Sequence, residues 1–121
     1  MLWDVYPEAS YPGGAPANFC VHIAQYGMNS CLISRVGRDQ AGKELIAKMK
    51  KMSVKTEPVQ LDDVYPTGTV NVTLNADGVP SFTCTQNVAF DHLRWKKSLK
   101  ALAIRLHGVL FGTLAQRNPD S

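Results

Sequence analysis

The chain has 121 residues, enough for one domain, and 45% of them are hydrophobic, which argues against a disordered protein. Thirteen Lys and Arg against ten Asp and Glu give a net charge of +3 without a dense basic block, so neither nucleic acid nor a membrane surface is an expected partner. No apolar run reaches the roughly 20 residues of a membrane-spanning helix. Three widely spaced cysteines without a CxxC pair predict free thiols, no metal site and a cytoplasmic protein.

The first half of the chain alternates between predicted strands and helices. A strand over Leu2–Tyr6 precedes a helix over Ala17–Tyr26, whose apolar residues recur at helical spacing. A short apolar strand over Cys31–Val36 precedes a second helix over Gln40–Lys51. Asp39 stands where an N-cap belongs, and we expect it to be an architectural residue.

The second half begins with strands. After a short strand over Val59–Leu61, the β-branched run Thr69–Leu74 and the segment Ser81–Thr85 flank turn residues, which predicts a β-hairpin. The stripe of leucines in Trp95–Leu106 predicts a helix. The apolar run Val109–Leu114 predicts a final strand.

Strands that alternate with helices predict an α/β fold, with a parallel sheet covered by helices on both faces. The polar alternation of the hairpin does not suit that layer, so we expect it to project as a separate small sheet. Ligands of such folds gather at the carboxyl ends of the strands. Asp4, the loop of residues 37–39 and the residues after Leu114 lie at such ends.

The segment Gly13–Asn18 stands directly before the first predicted helix. Its two glycines permit positive φ and close approach of a ligand to the main chain. The helix points its free N–H groups back at this loop, which suits an oxygen-rich ligand. The same residues are compatible with an ordinary tight turn, and with Asn18 as a helix cap.

Six segments in order along the chain carry a family resemblance: Leu2–Pro7, Gly13–Asn18, Arg35–Gly42, Pro66–Val70, Ala89–Asp91 and Phe111–Arg117. Together they resemble the sugar kinases of the ribokinase (PfkB) family, and its fructokinase-like branch most closely. The resemblance implies a Rossmann-like, ribokinase-like α/β body with a small β-hairpin lid at roughly residues 67–86. It also implies phosphorylation of a sugar hydroxyl with ATP and Mg²⁺.

The resemblance also implies site residues. Asp4 and Asn18 match side chains that hydrogen-bond sugar hydroxyls, and Gly13 and Gly14 match glycines whose backbone lines the sugar pocket. A carboxylate can accept two hydroxyls at once, and an amide both donates and accepts. Weaker candidates for contact with the substrate are Phe82, Cys84, Gln116 and Arg117.

The chain departs from the family in two ways. Its first strand looks clipped, and the family's Gly-Ala-Gly-Asp motif, which supplies the catalytic base and an anion hole, is absent. No phosphate-binding glycine motif of another type replaces it. We therefore expect residues 1–121 to form the sugar-binding half of a kinase domain, without catalytic or cofactor-binding residues of its own. Such a chain should bind ATP and Mg²⁺ poorly and be inactive by itself.

Lid strands of this family often pair between two subunits, so the resemblance implies a homodimer with a small-molecule sugar as ligand. Two other readings stay open at this point. One is a non-catalytic α/β module for binding or dimerisation. The other is a nucleoside kinase, since members of the family share the loop and the lid.

Overall fold

The computed structural model describes residues 1–117 as a mixed α/β fold. The two 3-10 turns within these residues are Ala89–His92 and Thr113–Gln116. The strands and α-helices are, in chain order, β1 (Leu2–Val5), β2 (Ser10–Gly13), α1 (Ala15–Gln25), β3 (Arg35–Gly37), α2 (Gln40–Lys51), β4 (Gln60–Asp62), β5 (Thr69–Leu74), β6 (Pro80–Cys84) and α3 (Lys97–Ala103). No helix within residues 1–117 is long and apolar enough to cross a bilayer.

Four strands form one sheet in the order β2-β1-β5-β6, and β3 and β4 form a second, parallel pair. β1 lies between β2, to which it is antiparallel, and β5, to which it is parallel. The hairpin therefore belongs to the same sheet as Asp4, which pairs with Val70, and the expectation of a separate small sheet is wrong. Val70 and Val72 are buried, so β5 has the apolar face that this position demands.

The two faces of β1 serve different cores, because successive side chains of a strand point to opposite sides. Trp3 packs into a body core with Leu45 and Met49 of α2, and its indole nitrogen donates to Ala41 O at 3.0 Å. The opposite face carries Leu2 and Asp4. There Leu2 joins a second core, completed by Val70, Val72, Val88 and Phe90.

The carboxylate of Asp39 joins the second sheet to the loop before β5. It caps α2 as predicted, accepting from Gly42 N at 2.7 Å, and it also accepts from Thr67 N at 2.8 Å and Thr67 Oγ1 at 2.6 Å. Thr67 Oγ1 in turn accepts from Gly37 N at 3.0 Å. Burial alone raises the pKa of Asp39, but the Thr67 and Gly42 hydrogen bonds outweigh it and leave this pKa below its ordinary value.

The predicted helix and strand limits hold in part. The helix at Gln40–Lys51 is confirmed, whereas the predicted helix over Trp95–Leu106 shortens to α3. Asn18 does not cap α1, because the helix begins at Ala15 and its N-cap is Gly14.

The strand predicted over Cys31–Val36 is confirmed only at its end, in β3. Cys31 itself forms a single parallel bridge with Lys55. The strand predicted over Val109–Leu114 is wrong, since the described chain is irregular there until the 3-10 turn at Thr113–Gln116. Within residues 1–117 no strand pairs with this run, and an apolar run forms a strand only when its backbone groups find partners.

We predict that Asp39→Asn lowers the free energy of unfolding by about 1–3 kcal/mol. The amide keeps one oxygen to cap α2 but places an NH2 group where the carboxylate accepted, so a Thr67 donor loses its partner. Urea denaturation at pH 7 measures this loss.

Asp63→Asn is the matched control, because Asp63 is exposed and forms a surface ion pair with Arg38, so its loss should stay within about 0.5 kcal/mol. The pKa of Asp39 is lower in the folded chain than its ordinary value of 3.8. Its stabilisation is therefore present above that value and is lost as the pH falls through the folded pKa. The difference in the free energy of unfolding between wild type and Asp39→Asn should therefore become smaller in that pH range. A difference that does not change with pH would contradict the proposed stabilisation by the Asp39 carboxylate.

Candidate functional site

The carboxylate of Asp4 lies directly against Gly13. Asp4 sits near the end of β1, and Gly13 closes the neighbouring strand β2. A Cβ built on Gly13 would overlap this carboxylate, at 2.5 Å from Asp4 Cγ. Only glycine leaves room for the acid, so the sheet itself brings these two predicted site residues together.

The Asp4 side chain is half-buried, and within residues 1–117 it makes no hydrogen bond or ion pair. Burial raises the pKa of Asp4 above its ordinary value. A carboxylate that has lost part of its hydration without gaining protein donors gains free energy from any ligand that donates to it. This makes Asp4 an acceptor suited to hydroxyl groups.

The two lid candidates lie on the same face of the sheet as Asp4. Cys84 pairs with Val70, and Phe82 pairs with Val72, and paired residues of adjacent strands point to one side. Cys84 is half-buried, whereas Phe82 is 62% exposed at the outer part of the hairpin. We call this side of the four-stranded sheet the Asp4 face.

Gly14 links β2 to α1 and has φ of +97°, a conformation that favours glycine. No side chain caps the helix, and Asn18 N donates to Gly14 O at 3.0 Å as the first intrahelical bond. The Asn18 side chain is exposed on this first turn. Within the described residues no hydrogen bond joins it to Asp4 or Gly13, so a shared grip by Asp4 and Asn18 stays a prediction.

Arg117 comes to the edge of the Asp4 face, but its guanidinium is largely used within the protein. Nε and Nη2 donate to the two carboxylate oxygens of Asp91 at 2.8 and 2.6 Å. Nη2 also donates to Thr85 O at 2.6 Å, and Nη1 donates to Cys84 Sγ at 3.2 Å. Gln116 is exposed in the preceding 3-10 turn. Contact of either side chain with a substrate stays a prediction.

Asp91 is a residue to which sequence reasoning assigned no role. It is fully buried, which by itself raises its pKa, but the Arg117 hydrogen bonds and the Val88 N–H outweigh burial and leave the pKa below the ordinary value. The same pairing raises the pKa of Arg117. The two residues are 26 positions apart, and no local pattern in the sequence signals that they meet.

The described residues also form a shallow apolar cleft of about 130 Å³ beside α1, distinct from the Asp4 face. It is lined in part by Phe19, Cys20, Ile23, Leu106 and Val109. In the described part of the chain, no three His, Cys, Asp or Glu side chains gather into a metal-ligand cluster. Cys20, Cys31 and Cys84 are free thiols, as predicted.

A mixed sheet with helices beside it, and a carboxylate packed against a glycine of the neighbouring strand, define an α/β protein. The sequence profile described as pfkB family carbohydrate kinase matches residues 8–115. A putative sugar kinase from Pyrococcus horikoshii is 40% identical over 124 residues, covering 98% of this chain and 38% of that protein.

Two solved structures are similar as well. A sugar kinase from Pyrococcus horikoshii in complex with ATP superposes with a TM-score of 0.69 at 35% identity, over 74% of this chain and 33% of that one. Fructokinase from Vibrio cholerae O395 in its apo form gives a TM-score of 0.70 at 32% identity, over 77% and 34% of the two chains. The chain spans less than two-fifths of the length of these proteins. It belongs to the pfkB family of carbohydrate kinases, and the ribokinase-like fold expected from the sequence is confirmed.

We predict that Gly13→Ala lowers the free energy of unfolding by about 1–3 kcal/mol, because the new methyl group displaces the Asp4 carboxylate. Gly108→Ala is the matched control, since a Cβ at Gly108 would meet nothing within 4 Å. Its effect should stay within about 0.5 kcal/mol.

The cause of the Gly13→Ala loss is tested in an Asp4→Ala background by urea denaturation. There the methyl group has no carboxylate to displace, and the substitution should be close to neutral. An equal loss with and without the Asp4 carboxylate would show that the contact does not explain the need for glycine.

Proposed function

We propose that this chain supplies the sugar-binding part of an ATP-dependent carbohydrate kinase that acts on fructose or a similar sugar. The observation that carries the proposal is the Asp4 carboxylate, half-buried against Gly13 and without a protein partner within the described residues. Membership of the pfkB family supports the reaction class. A sugar suits this site because its hydroxyl groups can donate to two carboxylate oxygens that have no donor within the described residues.

The Asp4 carboxylate would accept two sugar hydroxyls, since its two oxygens stay available beside a residue without a side chain. Hydrogen bonds to a charged group contribute roughly 1.5–3 kcal/mol each when they exclude water. The glycines let the sugar ring approach the main chain closely, and the Asn18 amide adds a group that both donates and accepts. Phe82 and Cys84 offer apolar surface on the same face for the carbon side of the ring.

Phosphoryl transfer needs a base and a stabilised phosphoryl group in addition to a positioned hydroxyl. The sequence contains no Gly-Ala-Gly-Asp motif, and we assign no catalytic residue and no ATP contact to this chain. The described residues do not fit a Mg²⁺ site of their own, because no acidic cluster gathers among them. The role proposed for this chain is therefore to bind and orient the sugar.

The hairpin supports a further part of the proposal, that two chains pair through it. Leu74, Val79 and Phe82 are each more than half exposed on β5, β6 and their connection. Exposed apolar side chains beside a strand edge favour association with another chain. A second copy would cover them, and its absence in solution would favour a monomeric sugar-binding unit.

We predict that fructose binds the 121-residue chain and that Asp4→Asn weakens this binding about 10- to 100-fold. The amide has one acceptor oxygen and no charge. Isothermal titration of the folded chain with fructose measures both affinities. Asp77→Asn, in the exposed turn of the hairpin, is the control and should bind as wild type does.

The pH dependence follows from the raised pKa of Asp4. Protonation removes acceptor capacity, so the Kd for fructose should rise as the pH falls through a value above 3.8. Asp4→Asn should lack this dependence. Binding of adenosine in place of fructose would favour a nucleoside kinase, and binding of neither with tight self-association would favour an interaction module.

We predict that the 121-residue chain does not phosphorylate fructose in a coupled assay with Mg-ATP. Loss of a general base alone costs about 10²–10⁴ in rate, and the 121 residues contain no Gly-Ala-Gly-Asp motif that could supply a base or an anion hole. Turnover near the roughly 1–100 s⁻¹ of ordinary kinases would refute the assignment of this chain to sugar binding alone.

A further inference from the structure

The β5–β6 hairpin extends past the end of β1 within the four-stranded sheet, and its base is formed by Thr69 and Thr85. Thr85 N donates to Thr69 O at 3.0 Å, and the two threonine hydroxyls lie 2.8 Å apart. Side chains beyond this base are mostly exposed, so few tertiary contacts hold the outer hairpin. The position of the outer hairpin relative to Asp4 therefore depends on what holds the base.

The β6 side of the base is held by Arg117. Its Nη2 donates to Thr85 O at 2.6 Å, and its Nη1 donates to Cys84 Sγ at 3.2 Å. The guanidinium is fixed in turn by the two-oxygen ion pair with Asp91, which is fully buried. A planar fork bound on both edges has little freedom, so the end of β6 is placed relative to the buried acid.

The β5 side of the base is held by Phe90, the neighbour of Asp91 in the 3-10 turn. A Cβ on Gly68, the residue before β5, would lie only 2.5 Å from Phe90 Cε1, so ring and backbone are in close contact. The guanidinium of Arg117 lies over the same ring, 5.1 Å from its centroid. One cluster of Phe90, Asp91 and Arg117 thus braces both strands where the hairpin begins.

We propose that Arg117 is a positioning residue, which fixes the hairpin strands relative to Asp4 through its contacts with Cys84 and Thr85. Four of the five N–H donors of its guanidinium are engaged by Asp91, Thr85 and Cys84, so it acts through the protein and not by gripping the ligand. The expected effect of Arg117 on sugar binding rests on the proposed function. Its effect on the position of the hairpin rests only on its contacts with Asp91, Cys84 and Thr85.

Hydrogen exchange of the 121-residue chain tests, without any ligand, whether Arg117 holds the base of the hairpin. In Arg117→Met, amides of β5 and β6 should exchange about tenfold faster, while amides of α2 around Leu45 keep the wild-type rate. Arg117→Lys restores the charge opposite Asp91 but not the fork, and should recover part of the protection. Arg105→Met is the control, because Arg105 is an exposed arginine just after α3, and this variant should exchange at the wild-type rate.

Fructose titration of the same variants tests the consequence for the ligand. The Kd should rise about three- to tenfold in Arg117→Met and remain at the wild-type value in Arg105→Met. Wild-type exchange in Arg117→Met, or acceleration spread equally over α2, would overturn the positioning role. If hydrogen exchange changes as expected but the wild type binds no fructose, the proposed sugar site is wrong and the positioning of the hairpin by Arg117 is still supported.

Discussion

The rest of the structure depends on the carboxylate of Asp39, which holds together two sheets that share no strand. Its hydrogen bonds to both the N–H and the hydroxyl of Thr67 fix the loop before β5 against the first turn of α2. The next residue, Gly68, accepts from Trp3 N at 3.0 Å and starts the pairing of β5 with β1. The position of β1, and with it Asp4, follows from this contact.

The Asp4 face and the body core therefore lie on the two sides of one strand. Trp3 points toward α2, and Asp4 points to the opposite side of the sheet, where its carboxylate lies against Gly13, so the acid cannot shift without moving a core residue. The packing of Trp3 in the core thus also fixes the position of Asp4. At the end of β6, the hairpin is attached to the rest of the protein by Arg117, which pairs with the buried Asp91.

Local patterns in the sequence predicted the elements whose partners lie nearby. The helix at Gln40–Lys51 has its own cap and apolar stripe, and the hairpin has its own turn, so both were found with nearly correct limits. Val109–Leu114 has the composition of a strand, but no strand of the described chain pairs with it. The pairing of β5 with β1 joins residues more than sixty positions apart. Asp4 was proposed because it stands at the end of a predicted strand and matches an aspartate of the family, whereas no local pattern places Asp91 beside Arg117, 26 positions away.

The Asp4 carboxylate is half-buried and has no hydrogen-bond donor within residues 1–117, so its burial lowers the stability of the folded state. An apolar residue of similar size at position 4 would suit the neighbouring Leu2 and Val70 better than the acid does. Selection for stability alone would remove the carboxylate from this strand. In the proposed function, the carboxylate that would bind the sugar is therefore also a group that lowers the stability of the fold.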